Sequence, residues 1–163
     1  MVRCIVMHVA SLSDAEFFQV LTESGARALL IGRRALILLG APVMTADYDL
    51  WVHIDDVEAL NRAFEAREHI ANFKADEARA RGRYVIENGE RIDVLVARAQ
   101  STADGAERLT FEEAWSRRQM REVAGSTVFL PSISDLIVTK RWSMRARDVA
   151  DIQWLELLRK ERT

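Results

Sequence analysis

Three aspartates stand out because their positions could hold a metal ion. Asp47 and Asp49 are separated by one residue in a predicted strand over residues 45–54, and residues two apart on a strand point to the same face. The two carboxylates should therefore lie side by side. Like charges so close repel each other, and burying them is costly unless a cation compensates. The pair predicts a metal site; the alternative is a polar strand end exposed to solvent.

Asp93 is the third acid, and it stands within an otherwise apolar predicted strand over residues 91–96, which is not a usual choice for a core position. If this strand neighbours the first one, three carboxylates converge. Such a set, without a His or Cys cluster, favours Mg²⁺ or Mn²⁺. Two such ions about 3.5–4 Å apart can clamp the oxygens of a phosphoryl or nucleotidyl transfer. The alternative is an ion pair between Asp93 and Arg91 or Arg83.

Candidate phosphate contacts lie on either side of these acids. Gly32 precedes a short predicted helix whose backbone N–H groups could face an anion. Basic residues recur over residues 117–162, and Lys140 among them could neutralise a triphosphate. Asp148 or Asp151, on the last predicted helix, could orient or deprotonate an acceptor hydroxyl. The basic stretch can equally be the solvated face of a helical hairpin, and the two acids can be charges that stabilise a helix N-terminus.

The elements that must position these residues follow from hydrophobic periodicity and from capping and turn residues. Ser13 and Glu16 form a capping-box pattern at the start of a helix that reaches about residue 23. A short apolar strand, a short apolar helix, the acid-bearing strand and a further helix capped by Asp55 are predicted over residues 28–31, 33–39, 45–54 and 57–67. Asn88-Gly89 between alternating strands predicts a hairpin with a type I′ turn.

The C-terminal part is predicted to be mainly helical. Thr110 caps a helix over residues 111–117, and two short strands follow at 121–124 and 127–130. Two further helices are predicted, from Ser134 to Trp142 and over residues 146–160. The whole indicates an α/β (α+β) fold with a mixed sheet, flanking helices and a C-terminal helical hairpin. We expect one domain over residues 1–163, with a core over about 13–100 and a helical part over about 110–160.

Composition narrows the class of protein. The net charge of −2 does not demand a nucleic-acid partner, and the one cysteine, Cys4, excludes a disulfide framework and a cysteine-based zinc site. A reducing cytoplasm is therefore the expected location. Residues 1–10 are apolar but too short to span a bilayer, so no membrane association is expected. They could form an interface strand, although the sequence does not give the oligomeric state.

The order of these features resembles the nucleotidyltransferase (polymerase-beta-like) superfamily. Its pattern is an apolar strand, a glycine followed by a small residue, a short helix and then D-h-D, where h is apolar, with a third acid on a later strand. Within it, the chain is most similar to a small bacterial group related to abortive-infection-type toxins. The resemblance spans about residues 28–158 and rests on these segments: Gly32…Ala35-Leu36…Gly40, Thr45-Ala46-Asp47-Tyr48-Asp49-Leu50-Trp51-Val52, Ile92-Asp93-Val94, Lys140 and Arg145-Ala146-Arg147-Asp148-Val149-Ala150-Asp151.

The resemblance implies a role for each of these positions. Asp47, Asp49 and Asp93 would be catalytic ligands of Mg²⁺ or Mn²⁺. Nucleotide contacts would come from Gly32, Arg33, Thr45, Lys140 and Asp148, although Thr45 also suits a purely structural role in the turn. Asp151 would complete the catalytic set. The implied activity is transfer of NMP from an NTP to a hydroxyl of an RNA, a protein or a small molecule, with a toxin-like role and an antitoxin as a candidate partner.

Two positions depart from the family pattern. Arg33 stands where a second small residue normally lets phosphate approach the backbone, and residues 42–44 lack an arginine that many relatives carry. A second interpretation therefore stays open. In it the chain is a catalytically degenerate member that binds a nucleotide or a partner.

Overall fold

The structure is a computed structural model that describes residues 11–98, 100–101, 104–105 and 107–163. The described residues form seven α-helices and nine β-strands. The helices are α1 (Asp14–Glu23), α2 (Gly32–Leu38), α3 (Val57–Glu65), α4 (Ala75–Arg81), α5 (Phe111–Ser116), α6 (Ile133–Arg141) and α7 (Ala146–Glu161). The strands are β1 (Ala28–Ile31), β2 (Tyr48–Val52), β3 (Ile70–Ala71), β4 (Arg83–Asn88), β5 (Glu90–Val96), β6 (Gln100–Ser101), β7 (Arg108–Leu109), β8 (Gln119–Val123) and β9 (Ser126–Leu130).

Five of the strands form one mixed sheet in the order β1-β2-β5-β4-β3. Only β2 and β5 pair in parallel; the other neighbours are antiparallel. The parallel register sets Asp49 opposite Asp93 and Leu50 opposite Val94. Because side chains alternate along a strand, the two aspartates share one face of the sheet, which we call the acidic face. The predicted mixed α+β fold with a C-terminal pair of helices is confirmed.

The opposite face of the sheet carries the main hydrophobic core. Leu30, Leu50 and Val94 are at most 1% exposed, and they belong to one buried cluster with apolar side chains of α1 and α3. Phe17 of α1 stacks on Tyr48 with ring centroids 3.7 Å apart. Full burial of one such side chain stabilises the fold by about 1.5–3 kcal/mol, so this core holds β2 in place from behind.

A second apolar cluster occupies the acidic face beyond the aspartates. Trp51 and Leu29 are completely buried there, against Phe111 of α5. Trp142, at the end of α6, packs edge-to-face on Trp51 at 5.0 Å. The acidic face is therefore apolar under α5 and α6, whereas beyond that cluster it carries charged side chains, among them Asp49, Asp93 and Arg91.

Local capping signals are confirmed at two helices. The Ser13 hydroxyl accepts the N–H of Glu16, and the Glu16 carboxylate accepts the N–H of Ser13. Thr110 and Glu113 form the same reciprocal pair at α5. Each cap satisfies two donors that a helix N-terminus leaves free, so short-range sequence suffices to place these two helix starts.

The predicted strand over residues 45–54 is wrong at its start. The strand begins at Tyr48, since β1 ends opposite Asp49 and leaves no antiparallel partner for earlier residues. Asp47 is thus exposed just before the strand, and its N–H donates to the hydroxyl of Thr45 at 3.2 Å. Two helix starts also differ: Ser132 caps α6 instead of Ser134, and α3 is preceded by a 3₁₀ turn over Ile54–Asp56.

The hairpin at Asn88-Gly89 is confirmed, but its predicted type I′ turn is wrong. Only Gly89 has a positive φ, and the Asn88 side chain instead donates to the carbonyl of Glu68. A two-residue turn with positive φ at both positions occurs in the β8–β9 hairpin, at Ala124 and Gly125. Contacts with a distant segment thus decide the first turn.

One prediction cannot be compared with the structure. The proposed interface strand over residues 1–10 lies outside the described residues. None of the described helices is long and apolar enough to cross a membrane.

Candidate active site

A cavity of about 500 Å³ opens on the acidic face, between the sheet and the α6–α7 connection. It is lined by eight of the nine residues proposed from the sequence: Gly32, Arg33, Thr45, Asp47, Asp49, Asp93, Lys140 and Asp148. The ninth, Asp151, is buried behind the cavity wall and is 2% exposed. Segments far apart in the chain therefore meet around the aspartates.

Asp49 and Asp93 form the floor of this cavity. Both are half-buried and lie opposite each other on adjacent strands. Burial raises the pKa of Asp49 above its ordinary value, and the negative charge of Asp93 raises it further, while Lys140 acts in the opposite direction. The repulsion expected of clustered carboxylates is thus present at Asp49, with Asp47 adding to it from the rim.

Gly32 is the residue that allows Asp49 to sit where it does. Its φ is +68°, in the left-handed region that favours glycine. A Cβ at this position would lie 2.3 Å from Oδ2 and 2.9 Å from Cγ of Asp49. The Asp49 carboxylate occupies the space where a side chain at residue 32 would lie. This contact requires a glycine here, independently of any approach of a phosphate to the backbone.

A buried ionic network forms the helical wall. Nζ of Lys140 lies 2.8 Å from Asp151 and 3.5 Å from Asp148, and all three side chains are at most 6% exposed. Arg33 reaches Asp151 from α2, with Nε at 3.3 Å and Nη2 at 3.4 Å from the two carboxylate oxygens. The network joins α2 to both C-terminal helices, so Arg33 is tied to the wall.

Asp148 also closes the turn between α6 and α7. Its Oδ2 accepts the backbone N–H of Arg145 at 2.8 Å and the hydroxyl of Ser143 at 3.2 Å. Burial alone would raise the pKa of Asp148, but the Arg145 N–H and the Lys140 charge outweigh it and hold that pKa below its ordinary value. The carboxylate is therefore stabilised in its charged form.

Asp93 is engaged by Arg91, which is one of the alternatives considered from the sequence. Nε of Arg91 lies 3.3 and 3.2 Å from Oδ1 and Oδ2 of Asp93, and Nη2 lies 3.1 Å from Oδ1. The hydrogen bond to Asp93 raises the pKa of Arg91. The contact shows that the Asp93 carboxylate faces the cavity with a guanidinium as its charged partner.

Sequence reasoning did not assign several other residues that line the cavity. They are Arg83, Thr139, Trp142, Ser143, Arg145 and Arg147. The arginines at 145 and 147 belong to the basic stretch already noted. Arg83 was named only as an alternative ion-pair partner of Asp93, and the pairing of β4 with β5 brings it to the cavity. Trp142 packs against the second apolar cluster and also lines the cavity.

The donor set fits a hard divalent cation in its chemistry, since it offers three carboxylates and neither thiolate nor imidazole. Within the part of the chain that the structure describes, however, no three Asp, Glu, His or Cys side chains are close enough together to hold an ion. Asp47 is exposed at the rim, and Arg91 contacts both oxygens of Asp93. Ion binding would therefore require these side chains to move together.

No family model matches the chain, and no curated protein matches it either. Among solved structures, it is similar to a protein of Thermotoga maritima described as a candidate nucleotidyltransferase, with 15% identity, a TM-score of 0.53 and coverage of 94% of this chain and 96% of that one. It also resembles the antibiotic-resistance factor ANT(2'')-Ia in two structures. The solution structure shows 20% identity and a TM-score of 0.50, covering 73% of this chain and 63% of that one. The complex with adenylyl-2''-tobramycin shows 19% identity and a TM-score of 0.50, covering 73% and 67%.

These likenesses establish the fold. The chain has the mixed α+β architecture of nucleotidyltransferases, as the sequence resemblance predicted. The relation to the toxin-related group stays a prediction, as do the roles of the individual residues.

Proposed function

We propose that this chain is a metal-dependent nucleotidyltransferase that moves NMP from an NTP to a hydroxyl acceptor. The observation that carries the proposal is the parallel register of β2 and β5, which sets Asp49 against Asp93 on the floor of a cavity whose helical wall carries Lys140. Clustered acids facing clustered bases suit a metal–polyphosphate ligand, whose two parts carry opposite charge.

Asp47, Asp49 and Asp93 would hold Mg²⁺ or Mn²⁺. When bound, the ion supplies charge neutralisation to the phosphates and makes the acceptor hydroxyl more acidic. Asp49 is the best placed of the three, because the β2 core behind it and Gly32 beside it fix its position. Asp47 and Asp93 provide the remaining oxygen ligands after a side-chain rotation.

Lys140 binds a phosphate oxygen in this proposal. An ammonium group has three N–H donors, and Asp151 and Asp148 accept two of them. No further acceptor contacts Nζ among the described residues, so the third donor is left for a ligand in the cavity that Lys140 lines. Because its side chain is 6% exposed and held at both carboxylates, the charge is pre-organised, which is unlike an ordinary solvated surface lysine.

Asp151 acts through its neighbours. It is buried behind the wall and ion-paired with both Lys140 and Arg33. We therefore propose that it positions these two cations, whereas the sequence suggested direct contact with an acceptor hydroxyl. Asp148 lines the cavity and has a similar positioning role toward Lys140, combined with closure of the α6–α7 turn.

The acceptor is proposed as a hydroxyl of a small molecule, an RNA or a protein. A small-molecule acceptor is supported by the fold relative whose structure holds adenylyl-2''-tobramycin. An RNA or protein acceptor, a toxin-like role and an antitoxin partner are supported by the sequence resemblance to the abortive-infection group.

The second candidate is a catalytically degenerate protein that binds a nucleotide or a partner. The observation that favours it is the pairing of Arg91 with Asp93, which supplies within the chain the positive charge that a metal would otherwise bring. Arg33 is weaker support for a degenerate protein than the sequence suggested. Its guanidinium is ion-paired with Asp151 in the helical wall of the cavity.

A thermal-shift screen separates the two candidates. Wild-type protein is mixed with each of ATP, GTP, CTP and UTP, with and without Mg²⁺. The enzyme proposal expects stabilisation by at least one NTP that depends on the metal, because the phosphates reach the acids only through the ion. Asp47→Ala and Asp49→Asn should abolish that dependence. Asp76→Asn, which removes an exposed carboxylate on α4, is the matched control and should leave it intact.

Transfer is then tested with α-labelled NTP and a cell lysate. Label on a macromolecule or small molecule, lost in Asp49→Asn, supports the enzyme. Metal-independent stabilisation by a nucleotide, with no transfer, supports the binding protein. No response to any NTP at millimolar concentration contradicts nucleotide transfer.

A further inference from the structure

Arg91 and Asp93 make a contact that the proposed reaction would have to break. The guanidinium contacts both oxygens of the carboxylate at 3.1–3.3 Å, so the side of Asp93 that faces Arg91 is fully used. Both side chains line the cavity. They are adjacent on the acidic face of β5, because residues two apart on a strand point the same way.

The arginine and a divalent cation need the same carboxylate. Arg91 has a side chain that is 56% exposed, whereas that of Asp93 is 26% exposed. An exposed arginine can leave its partner at small cost, since exposed ion pairs contribute little and are screened by salt. A divalent ion that competes for Asp93 would therefore have only a small ion-pair contribution to overcome.

The released guanidinium stays within the same cavity. Its five N–H donors form a planar fork that matches phosphate as well as carboxylate. The cavity wall opposite offers Lys140 as a further phosphate contact, so a polyphosphate in this space would lie between cations on two sides.

We infer that Arg91 serves two partners in turn: it holds Asp93 in the free protein and transfers to a nucleotide phosphate when the metal takes Asp93. The inference rests on the proposed function and deepens it. Arg91 is then a positioning residue in the free state and a phosphate-binding residue in the loaded state. The inference predicts two opposite effects of a single substitution. Arg91→Met should strengthen binding of the metal alone and weaken binding of the phosphate.

The first measurement is Mn²⁺ binding without nucleotide, by calorimetry or by electron paramagnetic resonance. Arg91→Met keeps the length of the side chain and removes the guanidinium. Loss of an exposed ion-pair competitor should tighten Mn²⁺ binding about two- to five-fold. Arg83→Met is the matched control, because Arg83 lines the same cavity and makes no ion pair among the described residues, so its effect reports only the loss of one positive charge.

The second measurement uses inorganic tripolyphosphate at saturating Mg²⁺, which probes the phosphate contact without assuming a base. Arg91→Met should weaken its binding about ten-fold, as expected for one lost hydrogen bond between charged groups. In an Asp93→Asn background, Arg91→Met should no longer tighten Mn²⁺ binding beyond the Arg83→Met effect, because the competition has gone.

The outcomes are distinct. Tighter Mn²⁺ binding and weaker tripolyphosphate binding together support the inference. If wild type binds Mn²⁺ and Arg91→Met matches wild type or Arg83→Met, the inference is overturned and the proposed function stands. Tighter Mn²⁺ binding with unchanged tripolyphosphate binding also overturns it, since Arg91 would then be a competitor only. If wild type binds neither Mn²⁺ nor tripolyphosphate, the proposed function fails, and the inference fails with it.

Discussion

Replacement of Gly32 by alanine tests whether this glycine exists to admit the Asp49 carboxylate. The new Cβ would lie 2.3 Å from Oδ2, 2.9 Å from Cγ and 3.0 Å from Cβ of Asp49. The carboxylate oxygen can rotate away, but Cβ of Asp49 is fixed by a central strand whose other face is packed in the core. The clash therefore cannot be relieved by side-chain rotation alone.

The loss of stability expected for Gly32→Ala has two parts. A left-handed backbone costs an alanine about 1–2 kcal/mol. Overpacking against Asp49 adds about 1–3 kcal/mol, so Gly32→Ala should lower the free energy of unfolding by about 2–5 kcal/mol. Gly25 is a close control: its φ is +66°, nearly that of Gly32 at +68°, and nothing lies within 4 Å of its would-be Cβ. Gly25→Ala should show only the backbone part.

Urea unfolding of both variants measures the two costs, and Mn²⁺ calorimetry reports whether Asp49 still binds. We expect Gly32→Ala to be the less stable variant and to bind Mn²⁺ more weakly than Gly25→Ala. In an Asp49→Ala background, the extra cost of Gly32→Ala should shrink, because Oδ2 and Cγ are absent. Equal destabilisation by the two glycine substitutions would refute the steric argument.

Three further tests address the scaffold. Asp56→Asn should make the free energy of unfolding less dependent on pH in acid. Hydrogen bonds from Arg27 lower the pKa of Asp56, so its stabilising contribution is present above the ordinary carboxylate pKa and is lost as the pH falls through the lowered one. Urea unfolding between pH 6 and 3 that matches wild type would contradict this. Lys140→Met should cost up to about 3–5 kcal/mol, because the buried Asp151 and Asp148 lose their shared ammonium group and keep only Arg33 and Arg145 as charged partners. Adding Asp151→Asn should return part of that loss, and additive losses in urea would argue against the network. Thr110→Ala should cost about 0.5–2 kcal/mol in the same assay through loss of the cap, and no change would show that α5 is held by packing alone.

Patterns of short range were sufficient for much of the fold. The capping box at Ser13 and the N-cap at Thr110 predicted two helix starts correctly, because the bonded partners are three residues apart and need no tertiary contact. Alternation along β5 correctly placed Asp93 on the opposite face from Ile92 and Val94. Where a distant contact competes, local rules failed, as at the Asn88-Gly89 turn.

The sequence predicted which residues line the candidate site, but it did not predict which of them contact each other. The spacing of Asp47 and Asp49 and the acid within an apolar strand marked the carboxylates, because those residue types are costly in a core. The sequence could not show that β2 and β5 pair in parallel, because that pairing joins residues more than forty apart along the chain. The register that brings Asp49 to Asp93 is therefore a product of the tertiary structure.

Tertiary structure also decided which charges meet. Arg33 looked like an obstacle to phosphate until Asp151, more than a hundred residues later, was seen to hold it. Likewise, the sequence suggested that Gly32 contacts a phosphate. In the structure the Asp49 carboxylate occupies the space that a side chain at this position would need. The sequence alone thus determined which residues were proposed for the site, and eight of those nine line one cavity. The packing of the sheet against the C-terminal helices decided which group each of these residues contacts. Ion pairs and steric limits depend on distances in space, and the spacing of residues along the chain does not give those distances.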